Sequence, residues 1–120
     1  MLTRRVALAG LSAGIASTAG GLRRALAASR QKFIDRAARM RRDAVASGDQ
    51  GYGAVVVRDG RVVGLGPSRV VVNTDPTGHA EMEALRDAAR ALKTHDLSGC
   101  IMYTTSPPCR LCAGAFAHHG

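Results

Sequence analysis

His79 and Glu81 stand two residues apart in Pro76-Thr77-Gly78-His79-Ala80-Glu81. Cys109 follows thirty residues after His79, in Pro107-Pro108-Cys109-Arg110-Leu111-Cys112. One imidazole and two thiolates are three protein ligands of the kind zinc takes. Three ligands leave the fourth tetrahedral position open for water, the arrangement of a catalytic centre and not of a closed structural one. Glu81, next but one to the imidazole, is placed to handle the protons that such a water gives up. Two thiolates also cancel the charge of Zn2+, so the water is activated without a strongly cationic site. Neither half carries this reading alone. A single C-x-x-C is equally a redox pair or half of a structural zinc site, and H-x-E by itself is common. Their combination, with helix-start signals on both and a strand-like run before the second, makes the pattern specific.

The residues around the motifs predict how they are held. Asp75 can cap a helix whose first residue is Pro76, because proline lacks the donor that position would leave unused. His79 then falls in its first turn. Ser106 can cap a second helix opening at Pro107, with Cys109 and Cys112 three apart on one face. Both ligand groups come to helix N-termini, where the dipole favours thiolate over thiol.

The remaining elements follow from periodicity. Ser29 to Ala46 predicts a helix, with Phe33, Ile34, Ala37, Ala38, Met40, Ala44 and Val45 near helical spacing. Arg36, Arg39, Arg41 and Arg42 read as a solvated basic face. Ala54–Val57 and Val62–Leu65 are β-branched runs split by Arg58-Asp59-Gly60-Arg61, a hairpin signal. Val70-Val71-Val72 predicts an extended approach to the site. A second helix is predicted from Pro76 to Leu92, its apolar stripe formed by Met82, Leu85, Ala88, Ala89 and Leu92. Ile101–Thr105 predicts a third strand that delivers Ser106 and Pro107, where helix three begins.

A chain of 120 residues has room for one small domain. It has no Trp and only four Tyr and Phe, so its core must be aliphatic. Three cysteines do not suggest a disulfide framework, and Cys100, opening an apolar run, reads as a core residue. The formal charge is +8. Without Arg4, Arg5, Arg23 and Arg24 it is 13 bases against 9 acids, or +4, an ordinary surface. That balance and the scarcity of aromatics disfavour a nucleic-acid binder.

Those four arginines lie in residues 1–27, which have the parts of a secretory signal. Thr3-Arg4-Arg5 is a basic head, an uncharged Ala/Gly/Ser/Leu run follows, and Ala25-Leu26-Ala27 is a small-x-small exit. The paired arginines with Leu8 three beyond resemble a twin-arginine export signal, although Ala7 stands where a bulky aromatic is usual. The alternative is an uncleaved anchor, for which Val6–Leu22 is at the short end. Export predicts a periplasmic protein with no stable membrane association after cleavage.

The order helix, hairpin, H-x-E helix, strand, P-C-x-x-C helix resembles the cytidine-deaminase-like superfamily. Within it the chain is most similar to the nucleoside and nucleobase group that includes guanine deaminases and tRNA adenosine deaminases. Gly48-Asp49-Gln50-Gly51-Tyr52-Gly53-Ala54, Asp75-Pro76-Thr77-Gly78-His79-Ala80-Glu81 and Tyr103-Thr104-Thr105-Ser106-Pro107-Pro108-Cys109 carry the resemblance. It implies an α/β fold, the three-layer α/β/α arrangement, over a CMP/dCMP-type zinc deaminase domain at 28–120 with a sheet of about three strands. It implies that His79, Cys109 and Cys112 hold Zn2+. Activated water attacks the amino-bearing carbon of a purine or pyrimidine base or nucleoside, and Glu81 shuttles protons to the ring nitrogen and the departing ammonia. Tyr52 and Ala80 border the pocket. Ser68 stands where the group has a substrate-binding Asn, and Pro107 where it has a Glu. A hydroxyl cannot replace the paired donor and acceptor of an amide. Asn73 reads as a loop residue. The group continues with further strands, so this reading expects a C-terminally truncated domain. An uncovered sheet leaves room for a homodimer. Export makes a small-molecule base or nucleoside the expected substrate and tRNA not. The alternative is a catalytically inactive remnant that at most binds zinc.

Overall fold

Asp59 and Gly60 both have positive φ, 50° and 73°, and join two strands through a two-residue turn. The strands are β1 (Gly53–Arg58) and β2 (Arg61–Pro67). This computed structural model describes residues 2–119, with backbone alone for 2–18. The other elements are α1 (Leu2–Ala46), α2 (Ala80–Leu92), β3 (Ile101–Thr104) and α3 (Arg110–His119). The sheet order is β2-β1-β3, antiparallel throughout, with a register shift between Val56 and Val57.

The chain divides into two units, Met1–Gln31 and Lys32–Gly120. The first is helical from Leu2, and its side chains from Ala19 to Gln31 are all exposed. Helix α1 therefore starts well before the expected Ser29, because the preceding run is rich in Ala and Leu and free of proline. The predicted signal spans 1–27, and its side chains to residue 18 lie outside the described residues. Among the described residues no helix is long and apolar enough to cross a membrane.

In the second unit β1 is the central strand and is buried on both faces. Val55 and Val57 point to one side and pack with Phe33, Ala37 and Met40 of α1. Ala54 and Val56 point to the other and pack with Ala80, Ala84, Leu85 and Ala88 of α2. A strand's period of two supplies both interfaces, and the result is three α/β/α layers. The stripe on α1 is narrower than the periodicity suggests: Ile34 and Val45 are exposed.

Helix α2 lies almost directly on β2. A Cβ on Gly66 would collide with Ala80 O and come within 2.6 Å of Ala84 N, and one on Gly64 would collide with Ala84 O. This contact buries Ala84, which the expected stripe of α2 omits. Gly66→Ala is expected to destabilise the second unit by about 1–3 kcal/mol or more through overpacking. An unchanged midpoint of denaturant unfolding would show that α2 is not seated on this glycine.

Val70–Val72 is not extended. The amide of Asn73 donates to Arg69 O (3.0 Å), Thr74 to Val71 O (3.2 Å) and Asp75 to Val70 O (3.0 Å), so the segment is a run of turns. Beyond β3, Gly53 and Thr105 bond each other twice: Thr105 N–H to Gly53 O at 3.0 Å, and Gly53 N–H to Thr105 Oγ1 at 3.1 Å. This clamp fixes where Ser106–Cys109 leave the sheet.

Candidate active site

Both helices that bear the motifs begin later than their capping signals suggest. Asp75 does not cap α2. Its Oδ1 accepts the Thr77 amide (2.8 Å) and hydroxyl (2.7 Å), which closes a separate turn. The Gly78 carbonyl is taken by Arg69 N–H at 2.8 Å. The helix starts at Ala80, with His79 itself as N-cap in extended conformation and no side-chain cap bond. The imidazole is therefore free to point elsewhere. Likewise Ser106, Pro107 and Pro108 are not helical, α3 opens at Arg110, and the Cys109 carbonyl accepts Ala113 N–H at 2.9 Å. Cys109 thus sits where a helix N-cap sits. The corrected positions still place His79 and Cys109 at helix N-termini and Cys112 in a first turn.

These side chains meet. His79 Nδ1 lies 3.4 Å from Cys109 Sγ and 3.4 Å from Cys112 Sγ, and the two sulfurs are 3.4 Å apart. The cysteines are free. A disulfide would need the sulfurs at about 2.05 Å. Zn–S bonds near 2.3 Å and Zn–N bonds near 2.1 Å at tetrahedral angles put such donors about 3.6–3.8 Å apart. The triangle fits a zinc ion with only slight expansion. Among the described residues this is the one group of three or more His, Cys, Asp or Glu side chains able to hold a metal ion.

The two thiols are not equivalent. The Cys109 thiol is pulled down to about 7, first by the Cys112 backbone N–H, then by the Cys112 side chain and His79. Burial pushes the Cys112 thiol up to about 12, with Cys109 and the nearby Glu81 carboxyl adding to it. Cys112 is 1% exposed. A thiolate there needs a cation beside it, which a divalent metal provides.

Glu81, the second residue of α2, is 6% exposed and lies near enough to Cys112 to raise its thiol. It shares with His79 and Cys109 a pocket of about 390 Å³. Tyr52, Ser68 and Ala80 line that pocket too, and Asn73 does not. Cys112 is buried and does not line it. Gln50, Ser106 and Pro107 complete the lining. Gln50 and Ser106 were not among the sequence-derived site residues, and nothing in their local pattern marks them.

Asp49 was missed as well, and it holds two of the lining residues, Ser68 and Gln50. One carboxylate oxygen accepts the Ser68 hydroxyl (2.8 Å), and the other accepts the amides of Val71 (2.9 Å) and Val72 (2.8 Å). That is why the β-branched run turns instead of extending. Partial desolvation raises the Asp49 carboxyl, but the Val72 and Gln50 amides, the Ser68 hydroxyl and the Val71 amide outweigh it and hold it below 3.8. A lowered folded value means that its stabilisation is complete above 3.8 and is lost as pH falls through the folded value. Asp49→Asn replaces an acceptor with a donor and should mimic that loss at neutral pH. The Val71 and Val72 amides should then exchange with solvent about tenfold faster or more, since each loses a charge-assisted bond. Unchanged exchange would mean that the turn holds itself.

Residues 28–120 match the family model of the MafB19-like deaminases. The chain belongs to that family. Among curated relatives, the guanine deaminase of Bacillus subtilis is 40% identical over 86 residues, covering 71% of this chain and 55% of the relative. The tRNA-specific adenosine deaminase of Aquifex aeolicus is 36% identical over 86 residues, covering 72% and 57%. The X-ray structure of the Bacillus subtilis guanine deaminase superposes with a TM-score of 0.71 at 37% identity, covering 74% of this chain and 57% of that one. The fold is thus the cytidine-deaminase fold in part, with three helices and three antiparallel strands described. This MafB19-like chain spans about half the length of the curated relatives it matches.

Proposed function

We propose that this protein catalyses zinc-dependent hydrolytic deamination of a purine or pyrimidine base or nucleoside, a hydrolase reaction on the C–N bond of a cyclic amidine. The observation that carries the reading is the triangle of His79 Nδ1, Cys109 Sγ and Cys112 Sγ, opening onto a pocket that also holds the Glu81 carboxyl. His79, Cys109 and Cys112 would hold the ion. When bound, zinc supplies Lewis-acid activation of a water molecule. Glu81 would accept a proton from the attacking water and return protons to the ring nitrogen and the departing amine. Water and the amino compound become a carbonyl and ammonia, with no other reactant. Tyr52, 46% exposed, offers a ring face for the base at the pocket, and the Ala80 backbone borders it.

The basic head, apolar run and small-residue exit of residues 1–27 support export to the periplasm. Export in turn favours a free base or nucleoside over tRNA. N-terminal sequencing of protein recovered from the periplasm should find a start near Ala28. A second reading keeps the metal and drops the turnover. The outer edge of β3 is unpaired among the described residues and Ile101 is 56% exposed, which supports an incompletely covered sheet. A homodimer would cover the same edge. Ammonia release from guanine, cytosine, adenosine and cytidine by the zinc-loaded chain separates the two readings. Release from at least one supports the enzyme, and zinc binding with release from none supports the remnant.

A further inference from the structure

A base that carries an amino group presents donors and acceptors side by side along one edge. Discriminating such edges takes a donor and an acceptor held in one plane, and a site built that way rejects analogues strongly. Ser68 cannot do this. It is wholly buried and its hydroxyl proton goes to Asp49 at 2.8 Å, so it has only lone pairs left to offer. Among the pocket-lining residues, Gln50 bears the one carboxamide. Its backbone is fixed on both sides. The Gln50 amide donates to Asp49 Oδ1 at 2.8 Å, and its carbonyl accepts Tyr52 N–H at 2.9 Å. The same carboxylate oxygen therefore sets the position of both Gln50 and Ser68, while the Gln50 side chain is left exposed at the pocket.

We propose that Gln50 is the specificity-determining residue of this pocket. Its carboxamide pairs with a lactam-like or amidine-like edge of the heterocycle, one N–H beside one C=O or ring nitrogen. The proposal rests on the deaminase reading above and deepens it. Gln50 has no part in holding the metal or moving protons, so its removal should act on binding and selectivity.

Two readouts test this on the zinc-loaded full chain. Calorimetry with xanthine and uracil, which have lactam edges and no amino group to hydrolyse, measures binding without turnover. Steady-state kinetics on whichever amino base is deaminated separates KM from kcat. Loss of two hydrogen bonds predicts that Gln50→Ala weakens xanthine or uracil binding about tenfold or more, with a matching rise in KM, little change in kcat and unchanged zinc content. Gln50→Glu keeps the size but offers acceptors only. It should weaken lactam binding similarly and narrow the preference between substrates. Binding and KM within twofold of the wild type in both variants would overturn the assignment while leaving the deaminase reading intact. If the wild-type chain neither binds nor deaminates any of these compounds, the deaminase reading fails and Gln50's role falls with it.

Discussion

Glutamine in place of Glu81 is expected to lower ammonia release by about 10²–10⁴-fold, the range that positioned acid–base groups contribute. Zinc content should not change. Glu81 is 6% exposed, at the start of a helix that α/β packing holds against the sheet. Gln matches it in size. It cannot take a proton from water or return one to the substrate. The loss is equivalent to about 3–5 kcal/mol of transition-state stabilisation. Because the substitution leaves all three ligand atoms in place, activity and metal content should separate cleanly. Activity within tenfold of wild type, at equal zinc content, would remove Glu81 from the mechanism.

The second large effect is expected from Cys112→Ser. Cys112 is 1% exposed, its thiol is pushed up to about 12 by burial, and it stands 3.4 Å from both other donors. Serine there is a poor ligand in a place too dry to ionise it. Disturbing a partner of a ligand already costs about 10–100-fold in metal affinity, so loss of a ligand should exceed 100-fold. Metal affinity is also folding free energy, so the variant should melt at lower temperature and no longer respond to added zinc. Cys100→Ser is the control. Cys100 is 9% exposed and belongs to the core around α2, away from the donor triangle. It should lose some stability and keep its zinc. If Cys112→Ser retained zinc and Cys100→Ser did not, the donor set would have to be redrawn.

The meeting of His79, Cys109 and Cys112 was legible in the sequence, because residue type and spacing single out these three side chains. The hairpin was equally legible, since Asp59-Gly60 supplies the two positive φ angles its turn demands. The helix starts were misplaced for a physical reason. Asp75 and Pro76 have the right chemistry to begin a helix, but Asp75 is engaged by Thr77 two residues on, and that local bond wins. Pro107 similarly lies in the irregular segment after β3. Val70–Val72 has strand propensity, yet the Asp49 carboxylate, more than twenty residues earlier, takes two of its amides. A bond of that separation has no signature in a local window. Gln50 and Ser106 were hidden for the same reason. In an antiparallel β2-β1-β3 sheet, the start of β1 and the ends of β2 and β3 fall together, as the pairs Gly53 with Pro67 and Ala54 with Thr104 demonstrate. Residues 49–52, 68 and 106–109 therefore share one end of the sheet. Topology brings them together, and the order of residues along the chain does not announce it.

The central claim is a zinc ion held by one nitrogen and two sulfurs, with a position left for water. X-ray absorption at the zinc edge, on protein purified by gel filtration, tests it most directly. The account predicts one zinc per chain, with two sulfurs at about 2.3 Å and two nitrogen or oxygen neighbours at about 2.0–2.1 Å. A shell of four sulfurs, or folded protein that takes up no zinc, would contradict it.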